Sequence, residues 1–181
     1  MVSGHRHVRR ARQQGFTLAE LIVVLVIVGI LGAIGAARFL DRRGFDTAAF
    51  AEQTRAMLRF GQKLAIAQHR PVYTQLNGTT IALCMATTVP CPAASRVPAI
   101  GASGGAPACG TGWYCEAPPG TIAYALVPAS ASIVCFNALG QPGLVAGGAC
   151  SSSAFAGVTV NITGDGATTP VTVAAETGYV Y

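Results

Sequence analysis

Residues 15–39 read GFTLAELIVVLVIVGILGAIGAARF, and the rest of the chain is organised around them. From Leu21 to Ala37 there are 17 residues without a charge. Coiled as a helix they span about 26 Å, just under the roughly 30 Å hydrocarbon core of a bilayer. Arg6, Arg9, Arg10 and Arg12 precede the run, and Arg38, Arg42 and Arg43 follow it. A basic N-terminus this close favours a cytoplasmic start and an exported remainder under the positive-inside rule. Glu20 is out of place here, because an ionised carboxylate at the mouth of a membrane helix is destabilising.

Outside that run the chain is poor in charge. Charged residues make up 10% of its 181 residues and hydrophobic residues 51%, which excludes intrinsic disorder. The net charge is +5 and the isoelectric point about 9.1, but four of the twelve basic residues lie in the first fifteen positions. Beyond Arg43, five basic residues face five acidic ones. A neutral folded part offers no stripe of cations to phosphates, so no nucleic-acid partner is expected.

Gly15-Phe16-Thr17-Leu18-Ala19-Glu20, with its basic leader and apolar run, resembles the N-terminus of type IV pilins and type II secretion pseudopilins. The competing readings are a secretory signal peptide and a plain single-span anchor; neither normally places a glutamate at the start of the apolar stretch. The resemblance implies cleavage after Gly15 by prepilin peptidase and N-methylation of Phe16. It also implies that Glu20, fifth from Phe16, faces the Phe16 amine of a neighbouring subunit inside a filament, where an isolated carboxylate would be costly. The implied partners are the peptidase, other major and minor pilins or pseudopilins, and the bacterial inner membrane, with a single pass, a periplasmic C-terminal part, and later a filament. The implied domains are a leader (1–15), an assembly helix (16–43), an amphipathic periplasmic helix (44–70) and a β-rich head (71–181).

Within the family, Arg59–Gln68 and the closing Glu176-Thr177-Gly178-Tyr179-Val180 are similar to minor subunits of GspH/FimT type. Arg38-Phe39-Leu40-Asp41 and the cysteine-bearing loops are similar to minor pilins of the mannose-sensitive haemagglutinin (MshC) kind. Some FimT-type proteins bind DNA through a C-terminal Gly-Arg-x-Arg motif; the matching stretch here, Thr177–Tyr181, has no arginine.

Gly29, Gly32 and Gly35 suit close helix packing or local unwinding. Asp46-Thr47 is a candidate cap for a helix with an apolar stripe at Phe50, Met57, Phe60, Leu64 and Ala67, ended by Pro71, with Gly44 as a bend before it. Arg55, Arg59 and Lys63 share one face, read as solvated. Beyond Pro71, strands are expected at 72–76 and 80–84 around an Asn77-Gly78 turn, and at 113–115, 121–127, 132–137, 158–162, 171–174 and 179–181, with a turn at Gly164-Asp165-Gly166. The expected fold is α+β, a long N-terminal helix packed on an antiparallel sheet.

Cys84, Cys91, Cys109, Cys115, Cys135 and Cys150 all follow the apolar run, where an oxidising periplasm would pair them. Sequential pairing closes the shortest loops and is expected, in exposed loops such as 90–112. The alternative for the second pair is that Trp113–Cys115 forms a strand that pairs elsewhere. No Cys-x-x-Cys spacing, hydrolase elbow, zinc-protease motif or phosphate loop is present. His69 reads as a helix C-terminal residue, and Trp113-Tyr114 as packing rather than a sugar platform. No enzyme activity, metal or cofactor is expected. Three functions stay open: a minor pilin that joins or initiates a pilus-like filament, a pseudopilin of a type II secretion system, and a membrane-anchored periplasmic ligand-binding or adhesive domain.

Overall fold

A computed structural model of the chain describes residues 16–40, 43–99, 108–164 and 166–181. It divides into two units, Met1–Asp41 and Arg42–Tyr181. The first contains helix α1 (Leu18–Leu40). Among the described residues no helix is long and apolar enough to cross a membrane.

The second unit, the head, begins with helix α2 (Arg43–Gln68). Asp46 lies inside its first turn rather than capping it. Gly44 is likewise helical rather than a bend; residues 41–42, between the helices, lie outside the described residues. The buried face is also rotated from the expected stripe. It runs through Thr47, Phe50, Ala51, Thr54, Met57, Leu58, Gly61 and Ala65, while Phe60 and Leu64 are half-buried and Ala67 is exposed. Small residues decide this: a Cβ on Gly61 would stand 3.2 Å from Leu83 Cδ2 and 3.7 Å from Val72 Cγ1, so helix and sheet touch almost backbone to side chain. Large residues mark apolarity in a sequence, whereas close approach selects small ones.

α2 ends one residue before His69, whose φ of 51° is left-handed. The His69 amide donates to the Ile66 carbonyl (3.3 Å) and the Arg70 amide to the Ala65 carbonyl (3.2 Å). That is the paired C-terminal closure usually built on glycine, placed just before Pro71.

Among the described residues nine strands follow: β1 (Val72–Leu76), β2 (Ile81–Cys84), β3 (Cys115–Glu116), β4 (Ala123–Val127), β5 (Ile133–Phe136), β6 (Pro142–Ala146), β7 (Ala149–Ser151), β8 (Val158–Gly164) and β9 (Ala167–Val173). They form two antiparallel sheets, β3-β2-β1-β5-β6-β7 and β4-β8-β9. α2 lies against strands of both, β8 and β9 of one and β1, β2 and β5 of the other. At the head's start the Thr47 hydroxyl donates to the Gly164 carbonyl (3.4 Å).

Asn77-Gly78 does turn the first hairpin, but Leu76 pairs with Ile81, so the loop has four residues. Asn77 Oδ1 accepts from the amides of Thr79 (3.0 Å) and Thr80 (2.7 Å). The β8–β9 hairpin closes at Gly164 and Ala167; Asp165 lies outside the described residues. β9 starts four residues earlier than expected because Pro170 sits on an edge strand, where a missing amide is tolerated. Trp113 and Tyr179–Tyr181 form no named strand; they make single bridges, Trp113 to Pro98 and Val180 to Val173. β6 and β7 were not expected at all. Gly147 (φ 57°) and Gly148 (φ 82°) connect them, two left-handed positions that suit a tight hairpin turn.

The six cysteines join as Cys84–Cys91, Cys109–Cys115 and Cys135–Cys150. Their surroundings correct the reading of exposed staples. β2 is buried on both faces: Ile81 and Leu83 enter the main core, while Ala82 and Cys84 join Cys91, Cys109, Cys115 and Trp113 in a second, smaller one. Trp113 donates its indole N–H to the Cys109 carbonyl (2.6 Å), and the Arg96 guanidinium lies 4.7 Å from its ring centroid. Nor is 90–112 simply a loop. Val97 is buried, its amide donates to the Leu83 carbonyl (3.3 Å), and its carbonyl accepts from the Tyr114 amide (2.9 Å). Residues 100–107 lie outside the described residues.

Tyr124 of β4 ties the two sheets together. Its hydroxyl accepts from the Gly78 amide (2.8 Å) and donates to the Thr80 carbonyl (2.6 Å). Burial, opposed in part by the Gly78 hydrogen bond, pushes its pKa from 10.0 up to about 12. The neutral phenol is therefore favoured in the folded state, and this contribution is full below pH 10.0 and lost as pH rises towards about 12. Tyr124→Phe should destabilise the head by about 1–3 kcal/mol at neutral pH and remove that part of the alkaline loss. Urea unfolding at pH 7 and across the alkaline window checks both. A Cβ on Gly143 would run into the Ser151 carbonyl oxygen, so Gly143→Ala should cost about 3 kcal/mol, measured as a lowered unfolding midpoint.

Candidate assembly site

The expected processing and assembly residues fall at the start of α1. Gly15 lies outside the described residues; Phe16 is 80% exposed, and Glu20 is exposed in the helix's first turn. The sequence reading gave Glu20 the Phe16 amine of a neighbouring subunit as its partner and missed what Thr17 does. The Glu20 amide donates to Thr17 Oγ1 (3.3 Å) and to the Thr17 carbonyl (3.1 Å), and the Leu21 amide to the same carbonyl (3.2 Å). Thr17 is thus the N-cap and Glu20 the third helical residue. Thr-x-x-Glu is the sequence form of a capping box, a signal legible in Thr17-Leu18-Ala19-Glu20. A carboxylate in the first turn also lies at the positive end of the helix dipole.

Along the helix behind it, every large apolar side chain from Leu21 to Leu31 is 49–64% exposed. A Cβ on Gly29 or Gly32 would meet nothing within 4 Å. Over these described residues the helix leaves its apolar side chains uncovered, with Thr17 capping its start, an acid in its first turn and an aromatic residue before the cap. Such a surface is stable only against lipid tails or other apolar helices.

In the head, the basic face of α2 does more than meet water. Arg55 pairs with Glu52. Arg59 gives Nε (3.1 Å) and Nη2 (2.7 Å) to the Val180 carbonyl, and its guanidinium lies 5.9 Å from the Tyr179 ring centroid. Gln62 Nε2 donates to the carbonyls of Gly140 (2.8 Å) and Thr177 (3.1 Å). These two side chains fasten the chain's last residues to α2; Lys63 remains exposed. Among the described residues no group of three or more His, Cys, Asp and Glu could hold a metal ion.

Comparison with known proteins singles out the same segment. Residues 10–36 match the prokaryotic N-terminal methylation motif. Over 63 residues the chain is 40% identical to the type IV narrow pilus major component PilA5 of Thermus thermophilus, covering 35% of this chain and 54% of that protein. The chain thus spans about half the length of this curated relative. Two crystal structures of the type IV minor pilin FimU of Pseudomonas aeruginosa align with 74% of this chain at 16% identity. They are covered to 85% and 90%, with TM-scores of 0.45 and 0.44.

The capping geometry has a measurable consequence. Thr17→Ala should weaken the start of α1 by about 1 kcal/mol, read as faster amide exchange at Glu20 and Leu21 in the micelle-bound protein. Thr17→Ser, which keeps the hydroxyl, should exchange as the parent does.

Proposed function

We propose that this chain, whose residues 10–36 match the prokaryotic N-terminal methylation motif, is a minor pilin or pseudopilin. In this reading it is a structural subunit, not an enzyme. Prepilin peptidase cuts after Gly15 on the cytoplasmic side, where a residue without a side chain lets the extended backbone approach closely, and Phe16 is N-methylated. Residues 16–43 then hold the subunit in the inner membrane as a single pass, with residues 44–70 and 71–181 in the periplasm. On assembly with other pilins the same helix leaves lipid for the packed helices of a filament.

The observation that carries this reading is the coincidence of the motif with a helix whose apolar side chains are exposed all round from Leu21 to Leu31. The filament supplies the missing cover. It also explains the otherwise costly Glu20: in an apolar core the carboxylate requires a cation, and the Phe16 amine of a neighbour supplies one. Pairing at a single position fixes axial register as well as adding stability. The disulfides suit an oxidising periplasm.

Mass spectrometry of the mature protein should find N-methyl-Phe16 as the first residue; retention of Met1, or a start near Ala37, overturns the proposal. Glu20→Ala should insert and be cleaved normally yet be lost from filaments, scored by co-purification with partner pilins, and incorporation at the parent level would sink the role given to Glu20. Gly15→Leu should accumulate as uncleaved precursor on a gel.

A further inference from the structure

We propose that the outer edge of β4 is a strand-addition site that takes an extended, uncharged segment of another polypeptide as a fourth strand of the β4-β8-β9 sheet. This rests on the head alone and does not depend on the filament reading.

The two sheets end in β3, β7, β4 and β9. β3 has two residues and β7 three, too few to template a partner. β9 has seven, but Pro170 interrupts it and the chain's last residues cover it. The Thr172 amide donates to the Tyr181 carbonyl (2.8 Å), the Tyr181 amide to the Thr172 carbonyl (3.0 Å), and the Ala174 amide to the Tyr179 carbonyl (2.9 Å). β4 differs from all three. It has five residues, pairs with β8 on one side, and has no strand on the other among the described residues. Its sequence, Ala-Tyr-Ala-Leu-Val, contains neither proline nor charge, two of the usual devices that keep a sheet edge from recruiting a partner. Ala123, Ala125 and Val127 are exposed along it.

A second feature lies beside this edge. A groove of about 420 Å³ is lined by Leu76, Gly78, Tyr124, Leu126, Ala129 and Ser132, and no charged residue borders it. The Tyr124 hydroxyl, bonded to Gly78 and Thr80, fixes β4 to the β1–β2 turn, so the groove is formed before anything enters it. Together these recognise one chemistry. An open strand edge pairs with peptide backbone, while the neutral groove takes small or apolar side chains from the added strand. A charged side chain would be desolvated there without a partner, and phosphates would find no cation.

The test uses the full-length protein in detergent micelles. The probe is a short synthetic peptide of alternating threonine and valine, compared with a twin whose alternate backbone amides are N-methylated. Hydrogen exchange should slow at those amides of Ala123–Val127 that do not bond β8, with the first peptide and not with the twin. The double variant Ala125→Lys/Val127→Lys should weaken that protection about tenfold in apparent affinity without moving the unfolding midpoint. Equal protection by both peptides, protection at Ala149–Ser151 instead, or none at saturating peptide overturns the proposal. Cross-linking of Ala125→Cys between two copies of the chain would give the edge to a second copy and overturn the partner assigned.

Discussion

The closeness of α2 to the sheets is the constraint on which the head depends. At Gly61 there is no side chain between the helix and Leu83 or Val72, and Ala51 and Ala65 are fully buried on the same face. A helix held this near can touch two sheets at once. Phe50, Met57 and Leu58 then fill a core shared with β1, β2, β8 and β9 rather than covering one sheet alone. The polar contacts follow from the same proximity. Thr47 reaches the β8 end, Gln62 reaches two loops, and Arg59 reaches the Val180 carbonyl because the backbone beneath them is only a side chain away.

The architecture was largely legible because its strongest signals are local. The uncharged run, the helix that stops at Pro71 and the hairpin at Asn77-Gly78 each need a single stretch of chain. What escaped the reading depends on non-local contact. The buried face of α2 was assigned by its large residues, whereas Gly61 and Ala65 are buried because of what they permit. β6 begins with Pro142 and Gly143, β7 is only Ala149–Ser151, and neither has much strand character of its own; they are strands because Cys135 pairs with Gly143 and Leu144 with Ser151 across the ladder. Pro170 hid the first half of β9 because edge position, which tolerates it, cannot be seen before the sheet order is known.

At the candidate site Glu20 stands out in the sequence as a charge at the mouth of an apolar run, whereas the roles expected of Phe16 and Glu20 come from the family resemblance. The role of Thr17 was equally available in the sequence, as the first member of Thr-x-x-Glu, but the family resemblance drew attention to the charge and away from the cap. The tail was the reverse. Nothing in Tyr179-Val180-Tyr181 indicates that an arginine one hundred and twenty-one positions earlier would hold its backbone.

The three disulfides close loops of only 7, 6 and 15 positions. No covalent ring therefore encloses α2, β1, β4, β8 or β9. If such a head is pulled through its N-terminal helix, as a subunit in a tensioned fibre would be, the force passes into van der Waals contacts and hydrogen bonds along α2, and the sulfur bridges carry little of it. They lock the far face of the larger sheet in shape, while resistance to extension resides in the tight seam beneath Gly61 and in the Arg59 grip on the final residues. Rigidity and tensile strength are thus assigned to different parts of one small domain.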